Sequence, residues 1–258
     1  MRLSKLRTRT ISGSGCPAAS LPIVTTSTSE PEEYRQARFE APPGSTEFLL
    51  IRHGESAPAR KGEQFPLVDG HSDPDLAPEG REQADRAAER LSVAKIDHIY
   101  VTTLRRTVQT AAPLVERLGM TPTIEPELRE VYLGTWEGGL FRQMVAENGD
   151  VAQRLWTEQR WDVIPEAEPA EAFAARVRGA IERLAQAHRD ETIAVFTHGG
   201  VIGQVLALAA QSRPFAFIGA DNASISQLVI TPQAWIIRRF NDTAHLDPAF
   251  SLVPTPLT

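Results

Sequence analysis

The chain has 258 residues, 41% hydrophobic and 23% charged, enough for one substantial core with a small cap but not for two full domains. Its single cysteine, Cys16, excludes an intrachain disulfide and a thiolate-rich metal site, which suits a reducing cytoplasm. Net charge is −6, and residues 1–29 carry four basic residues and no acid, so the rest stands at −10, a poor partner for nucleic acid.

The first 45 residues read as a disordered or loosely ordered extension. Eleven Ser or Thr fall in the first 29 positions, and Pro31, Pro42, Pro43 and Gly44 punctuate the remainder without periodicity. The basic, Ser-rich, acid-poor composition also matches a weak transit peptide, a reading that ranks second here. From Thr46 onward, over residues 46–258, short apolar runs alternate with helical periodicity. Strands are predicted at Thr46 to Arg52, His98 to Thr102, Thr121 to Glu125, Thr192 to Thr197, Ser224 to Ile230 and Ala234 to Phe240. Between them, Ala84, Ala87, Ala88 and Leu91 share one helical face, and Leu104, Val108, Ala111, Val115 and Leu118 share another that ends at Gly119. Phe173, Val177, Ile181 and Leu184 line a third helix, and Val201 to Ala210 forms a fourth. That last segment is the most apolar and falls well short of the roughly 20 residues a membrane-spanning helix needs.

This alternation predicts an α/β three-layer sandwich: a mainly parallel sheet with helices on both faces. Only Thr231, Pro232 and Gln233 separate the last two strands, so they form a hairpin and one strand runs antiparallel. The segment of about residues 138–169, with Leu140, Phe141, Met144, Leu155, Trp156 and Trp161 in a polar background, is expected to insert as a small helical cap.

In open α/β sheets ligands bind beyond the carboxyl ends of the strands. Two strands run directly into polar residues there: FLLIRHGES delivers Arg52, His53, Gly54, Glu55 and Ser56, and IAVFTHGGVIG delivers Thr197, His198, Gly199 and Gly200. A strand ending in histidine and glycine before a helix aims an imidazole and free backbone N–H groups at one anion.

The Arg-His-Gly-Glu run resembles the signature of the histidine phosphatase superfamily, the phosphoglycerate mutase-like proteins. DPDLAPEGREQA at residues 73–84, TTLRRTVQTA at 102–111, LREVYLGTWEG at 128–138 and the later THGGVI are similar to that family's further segments, in the same order. The resemblance implies a phosphohistidine mechanism without metal or cofactor. It makes His53 the nucleophile, places the phosphoryl group between Arg52 and Arg106 with His198 completing the pocket, and assigns the proton donor to Glu130. A neutral imidazole is a competent nucleophile near neutral pH, and a guanidinium fork matches phosphate geometry. His198 is followed by Gly199 where some branches carry an aspartate acid, which strengthens Glu130; Glu137 and Asp73 are the alternative acids. Ser56 and the Gly199 N–H are further candidates for phosphate contact, although Ser56 equally fits a helix cap. Arg105, next to Arg106, is expected to pair on the solvated helix face, and Arg160 in the cap either reaches a substrate carboxylate or stays on the rim. His71, His98, His188 and His245 lack site context and ligand spacing.

The leading expectation is therefore a cytoplasmic, metal-independent phosphomonoesterase acting on a small phosphate ester, with no nucleic-acid or membrane partner and a homodimer left open. A phosphomutase is the alternative, and a catalytically silent phosphate-ester or phosphoprotein binding module a third reading. The mutases of this family carry an asparagine soon after Arg-His-Gly-Glu-Ser, whereas this chain has Ala57-Pro58-Ala59-Arg60-Lys61, which favours the phosphatase. Ala77 and Thr107 also depart from the family pattern, at positions usually Thr and Ala.

Overall fold

The TEFLLIR run forms β1 (Thr46–Arg52), and its alternate residues face two different cores. Phe48 and Leu50 pack on one side and Leu49 and Ile51 on the other, as expected for a strand covered on both faces. The computed structural model describes residues 33–247. Residues 33–39 belong to a separate unit and hold no helix or strand; the part of the predicted extension before them lies outside the described residues. Within the main unit, the Gly44 N–H donates to Asp190 Oδ1 at 2.6 Å and the Asp190 N–H to the Ser45 carbonyl at 2.6 Å.

In chain order, β1 is followed by a small hairpin, β2 (Leu67–Val68) and β3 (His71–Ser72), then α1 (Pro78–Leu91), β4 (His98–Val101), α2 (Arg105–Leu118) and β5 (Thr123–Ile124). Residues 138–169 supply α3 (Leu140–Glu147) and α4 (Asp150–Glu158), after which α5 (Ala170–Ala187), β6 (Thr192–Thr197), α6 (Gly199–Ala210), β7 (Ile225–Ile230) and β8 (Trp235–Asp242) follow within the described residues. The main sheet has the order β5-β4-β6-β1-β7-β8. Pairing is parallel from β5 to β1, β7 runs antiparallel to β1, and β8 runs antiparallel to β7. The predicted three-layer sheet with one antiparallel strand is thus what the chain forms. Helices α1 and α2 cover one face and α5 and α6 the other.

Two local differences from the sequence reading have physical causes. In α2 the buried face holds Thr107, Thr110, Ala111 and Leu114, while Val108 is 43% exposed. The helix is rotated so that its hydroxyls turn inward beneath the site, an orientation a purely apolar count misses. The strand expected from Thr121 to Glu125 shrinks to two exposed residues at the sheet edge, where pairing on one side only gives little support. In the cap, Phe141, Leu155 and Trp161 join the same core as Phe48 and Leu50, whereas Trp156 sits at its margin against Phe215, ring centroids 6.0 Å apart.

Candidate active site

Strands β1 and β6 are adjacent, parallel and in register at Arg52 and Thr197. The next residues, His53 and His198, therefore leave the sheet side by side, with ring centroids 5.3 Å apart. The His53 N–H continues the ladder to the Thr197 carbonyl at 3.0 Å, and the His53 carbonyl accepts from Asn222 Nδ2 and the Ala223 N–H. His53 Nδ1 lies 2.7 Å from the Gly54 carbonyl, which only accepts, so Nδ1 carries the proton and Nε2 holds the lone pair. Burial, with Arg106 and Arg52 nearby, holds the imidazole well below its usual range, hence neutral at pH 7.

His198 is fully buried at the N-terminus of α6, beside His53. Its Nε2 is 3.1 Å from Thr102 Oγ1, which is 3.0 Å from Thr107 Oγ1, and Thr107 donates to the Leu104 carbonyl at 2.8 Å. The family departure at Thr107 therefore adds a hydroxyl to the support of His198. His198 Nδ1 and Arg52 Nε are buried with no hydrogen-bond partner among the described residues. Burial, together with Arg106 and His53, pushes the His198 pKa down in the same way.

Arg52, from the end of β1, and Arg106, from the start of α2, both line the cavity. Arg52 donates through Nη1 to the Ala220 carbonyl, and Arg106, in the first turn of α2, donates through Nη1 to the Ser72 carbonyl at 2.7 Å. Burial lowers both guanidinium pKa values to about 10, opposed mainly by the Glu130 charge, so both remain cationic at neutral pH. Glu130 accepts from the Val131 N–H at 3.0 Å through Oε1 and from the Gly200 N–H at 3.1 Å through Oε2. A Cβ at residue 200 would lie 2.4 Å from Glu130 Oε1, so glycine there makes room for the carboxylate.

The alternative assignments separate cleanly. Glu137 accepts from the Ser72 N–H and hydroxyl and from the Leu133 N–H, and Asp73 accepts from the Arg105 N–H and Nε, each at 2.8 Å. Both carboxylates tie loops together. Arg105 also reaches Asp75, on the exposed side of α2 as expected. Ser56 caps no helix, since α1 begins only at Pro78; its buried hydroxyl accepts from Arg142 Nη2 at 2.7 Å. Arg160 pairs with Asp162 on the surface, and Gly199 occupies the first position of α6, where no helical carbonyl serves its N–H.

Arg142 is the residue the sequence reading missed. It stands on α3, donates to Ser56 and the Ala57 carbonyl, and lines the cavity with its pKa lowered by burial. The signal available was a lone cation amid Leu140, Phe141, Met144 and Val145. Thr110 also went unnoticed: its hydroxyl accepts from the Gly54 N–H at 3.0 Å. Gly54 itself has no unusual backbone angle; its role is close approach, since a Cβ there would meet the Gly80 carbonyl oxygen at 2.4 Å, and one at Gly80 would meet the Glu55 carbonyl oxygen at 2.0 Å.

These groups surround a cavity of about 100 Å³, walled on its outer side by Phe65, Leu133, Trp136, Phe141, Trp161 and Ile218. On this measure one water needs about 10–15 Å³, so the cavity has room for a phosphoryl group together with a substituent. The site is thus a buried cationic cradle opening into an apolar mouth.

The family model of the histidine phosphatase superfamily, branch 1, matches residues 48–243. The chain is 33% identical to phosphoglycerate mutase-like protein 4 of Arabidopsis thaliana over 208 residues, 78% of this chain and 87% of that protein. It is 29% identical to phosphoserine phosphatase 1 of Hydrogenobacter thermophilus over 204 residues, 77% of this chain and 93% of the relative. Among solved structures, a mycobacterial glucosyl-3-phosphoglycerate phosphatase superposes with a TM-score of 0.64 at 27% identity, covering 77% of this chain and 100% of that one. Since the match runs from the strand that presents the first histidine through the last strand of the sheet, the chain belongs to the histidine phosphatase superfamily, whose members include phosphatases and mutases.

Proposed function

We propose that the protein is a phosphomonoesterase that works through a phosphohistidine on His53. The observation that supports this best is the cradle: two buried guanidinium groups and two neutral imidazoles, with His198 Nδ1 and Arg52 Nε buried and unpartnered among the described residues. Buried polar groups ordinarily find partners: a phosphoryl oxygen accepts from Arg52 Nε, and the phosphoryl charge favours a protonated His198, whose Nδ1 then donates as well. His53 Nε2 attacks phosphorus in line, forming the P–N bond as the P–O bond to the alcohol breaks, and Glu130, having taken the proton of the bound ester monoanion, delivers it to the leaving oxygen. Water then attacks the phosphohistidine, giving its proton to Glu130, and inorganic phosphate leaves with His53 restored. Arg52, Arg106, His198, Ser56 and the Gly199 N–H hold the equatorial oxygens, and the fixed charges neutralise the transition state without a metal.

The mouth narrows the substrate class. Its wall is largely aromatic and aliphatic, and Arg142 already serves Ser56 and Ala57. We infer a small ester whose alcohol portion carries apolar surface rather than several charges. A phosphometabolite panel spanning apolar, aromatic and doubly charged esters, read by phosphate release, tests both parts. Fast release from aryl and apolar esters with no isomerised product supports the reading; production of a positional isomer with little free phosphate moves the assignment to a mutase.

A further inference from the structure

Two histidines dismissed in the sequence for want of ligand spacing meet a glutamate at the other end of the sheet. His98 opens β4, His188 follows the last residue of α5, and Glu191 precedes β6. Each offers a ligand atom, and these atoms lie within 4.8 Å of one another. Glu191 Oε2 is 2.7 Å from His188 Nδ1 and 3.3 Å from His98 Nε2, and the two imidazole rings are 4.3 Å apart. Asp190, at φ 63°, turns the chain so that Glu191 folds back onto His188. The strands place this cluster about 20 Å from the phosphate cradle, at 3.3 Å per residue over six positions.

We propose that His98, His188 and Glu191 form a binding site for a divalent transition metal of the zinc class, separate from the catalytic cradle. Two imidazole nitrogens and a carboxylate are a donor set for such ions, and tetrahedral bonds of about 2.1 Å require ligand atoms about 3.4 Å apart. Separations of 2.7 and 3.3 Å, with all three atoms within 4.8 Å, lie near that spacing, so small side-chain adjustments close the site. Tyr100 supports it: its hydroxyl is 2.7 Å from His188 Nε2 and can accept a hydrogen bond from an Nε2 proton once Nδ1 has taken the metal, holding the ring in place. His188 is buried while His98 and Glu191 are partly open to solvent, which gives the ion a path in and leaves a fourth position for water. In the free site the Nδ1 N–H donates to Glu191; binding moves that proton to Nε2, where Tyr100 accepts its hydrogen bond, and the ion takes Nδ1. The bound ion ties the start of β4 to the turn between α5 and β6, a structural clamp rather than a participant in phosphoryl transfer.

The test is equilibrium dialysis of the full chain against Zn²⁺, with Co²⁺ absorption as a report of coordination. One ion per chain is expected, with visible Co²⁺ bands of four-coordinate intensity and a melting temperature raised by Zn²⁺. His98→Ala and Glu191→Gln should each weaken binding more than tenfold and abolish the thermal shift, and Tyr100→Phe should cost about tenfold. His98 is partly exposed, so its variant keeps the fold and leaves phosphatase activity unchanged. His53→Ala should bind the ion as tightly as the parent chain. Absence of stoichiometric binding, binding indifferent to both His98→Ala and Glu191→Gln, or binding lost in His53→Ala would each overturn the site.

Discussion

At the scale of single residues, the site makes separable demands on charge, shape and space. His53→Ala should abolish an acid-labile, alkali-stable phosphoenzyme and lower turnover by about 10⁴-fold or more, checked by rapid quench with a labelled ester. Arg106→Lys keeps a cation but loses the planar fork that also reaches Ser72, and a drop of about 10–10²-fold in kcat/KM is expected, because an ammonium cannot reproduce the two-pronged contact. Gly200→Ala tests the proton donor indirectly. A methyl group there collides with Glu130 Oε1, so kcat should fall by about 10²-fold for esters with poor leaving groups and much less for aryl phosphates, whose leaving oxygen needs no proton. Equal losses for both substrate types would argue that Glu130 only holds the loop.

At the scale of elements, the rotation of α2 yields a direct comparison. Leu114→Ala should cost about 2–5 kcal/mol in a denaturant titration, as expected for a fully buried leucine. Val108→Glu should change stability by no more than about 0.5 kcal/mol, because its side chain faces solvent. The contrast also shows what was legible in the sequence. Strands β1 and β6 announced themselves as continuous apolar runs ending in charged or imidazole side chains, and parallel pairing then brought His53 and His198 together. Arg106 and Glu130 were legible only through the order of motifs, since each sits on a turn or helix end that periodicity does not describe. Arg142 was not legible, because its place in the cavity depends on how α3 packs over the loop at Ala57, a long-range contact with no local signature. The meeting of His98 with His188 was hidden for the same reason: ninety residues separate them, and only sheet order makes them neighbours.

At the scale of the whole molecule, the buried pair His53 and His198 links stability to pH. Both are buried and neutral in the folded chain, with pKa values well below 6.5, whereas the unfolded chain protonates them near 6.5. Below that pH the unfolded state binds more protons, so stability falls with acidification from about pH 6.5 down to the folded-state values, by up to about 1.4 kcal/mol per pH unit for each histidine. Stability should be flat above about pH 7.5 with respect to these groups, and replacing His198 with Asn should shallow the acid slope in urea titrations between pH 7 and 5. No helix among the described residues is long and apolar enough to cross a membrane.

The contact between Gly54 and Gly80 carries this molecular view into evolution. Neither position has a side chain left to surrender, so a methyl group gained at one cannot be offset by shrinkage at the other. A lineage that acquired it would have to move the start of α1 bodily away from the loop bearing His53, or revert. The pair is therefore a ratchet that should hold both positions fixed through any drift of substrate preference at the mouth.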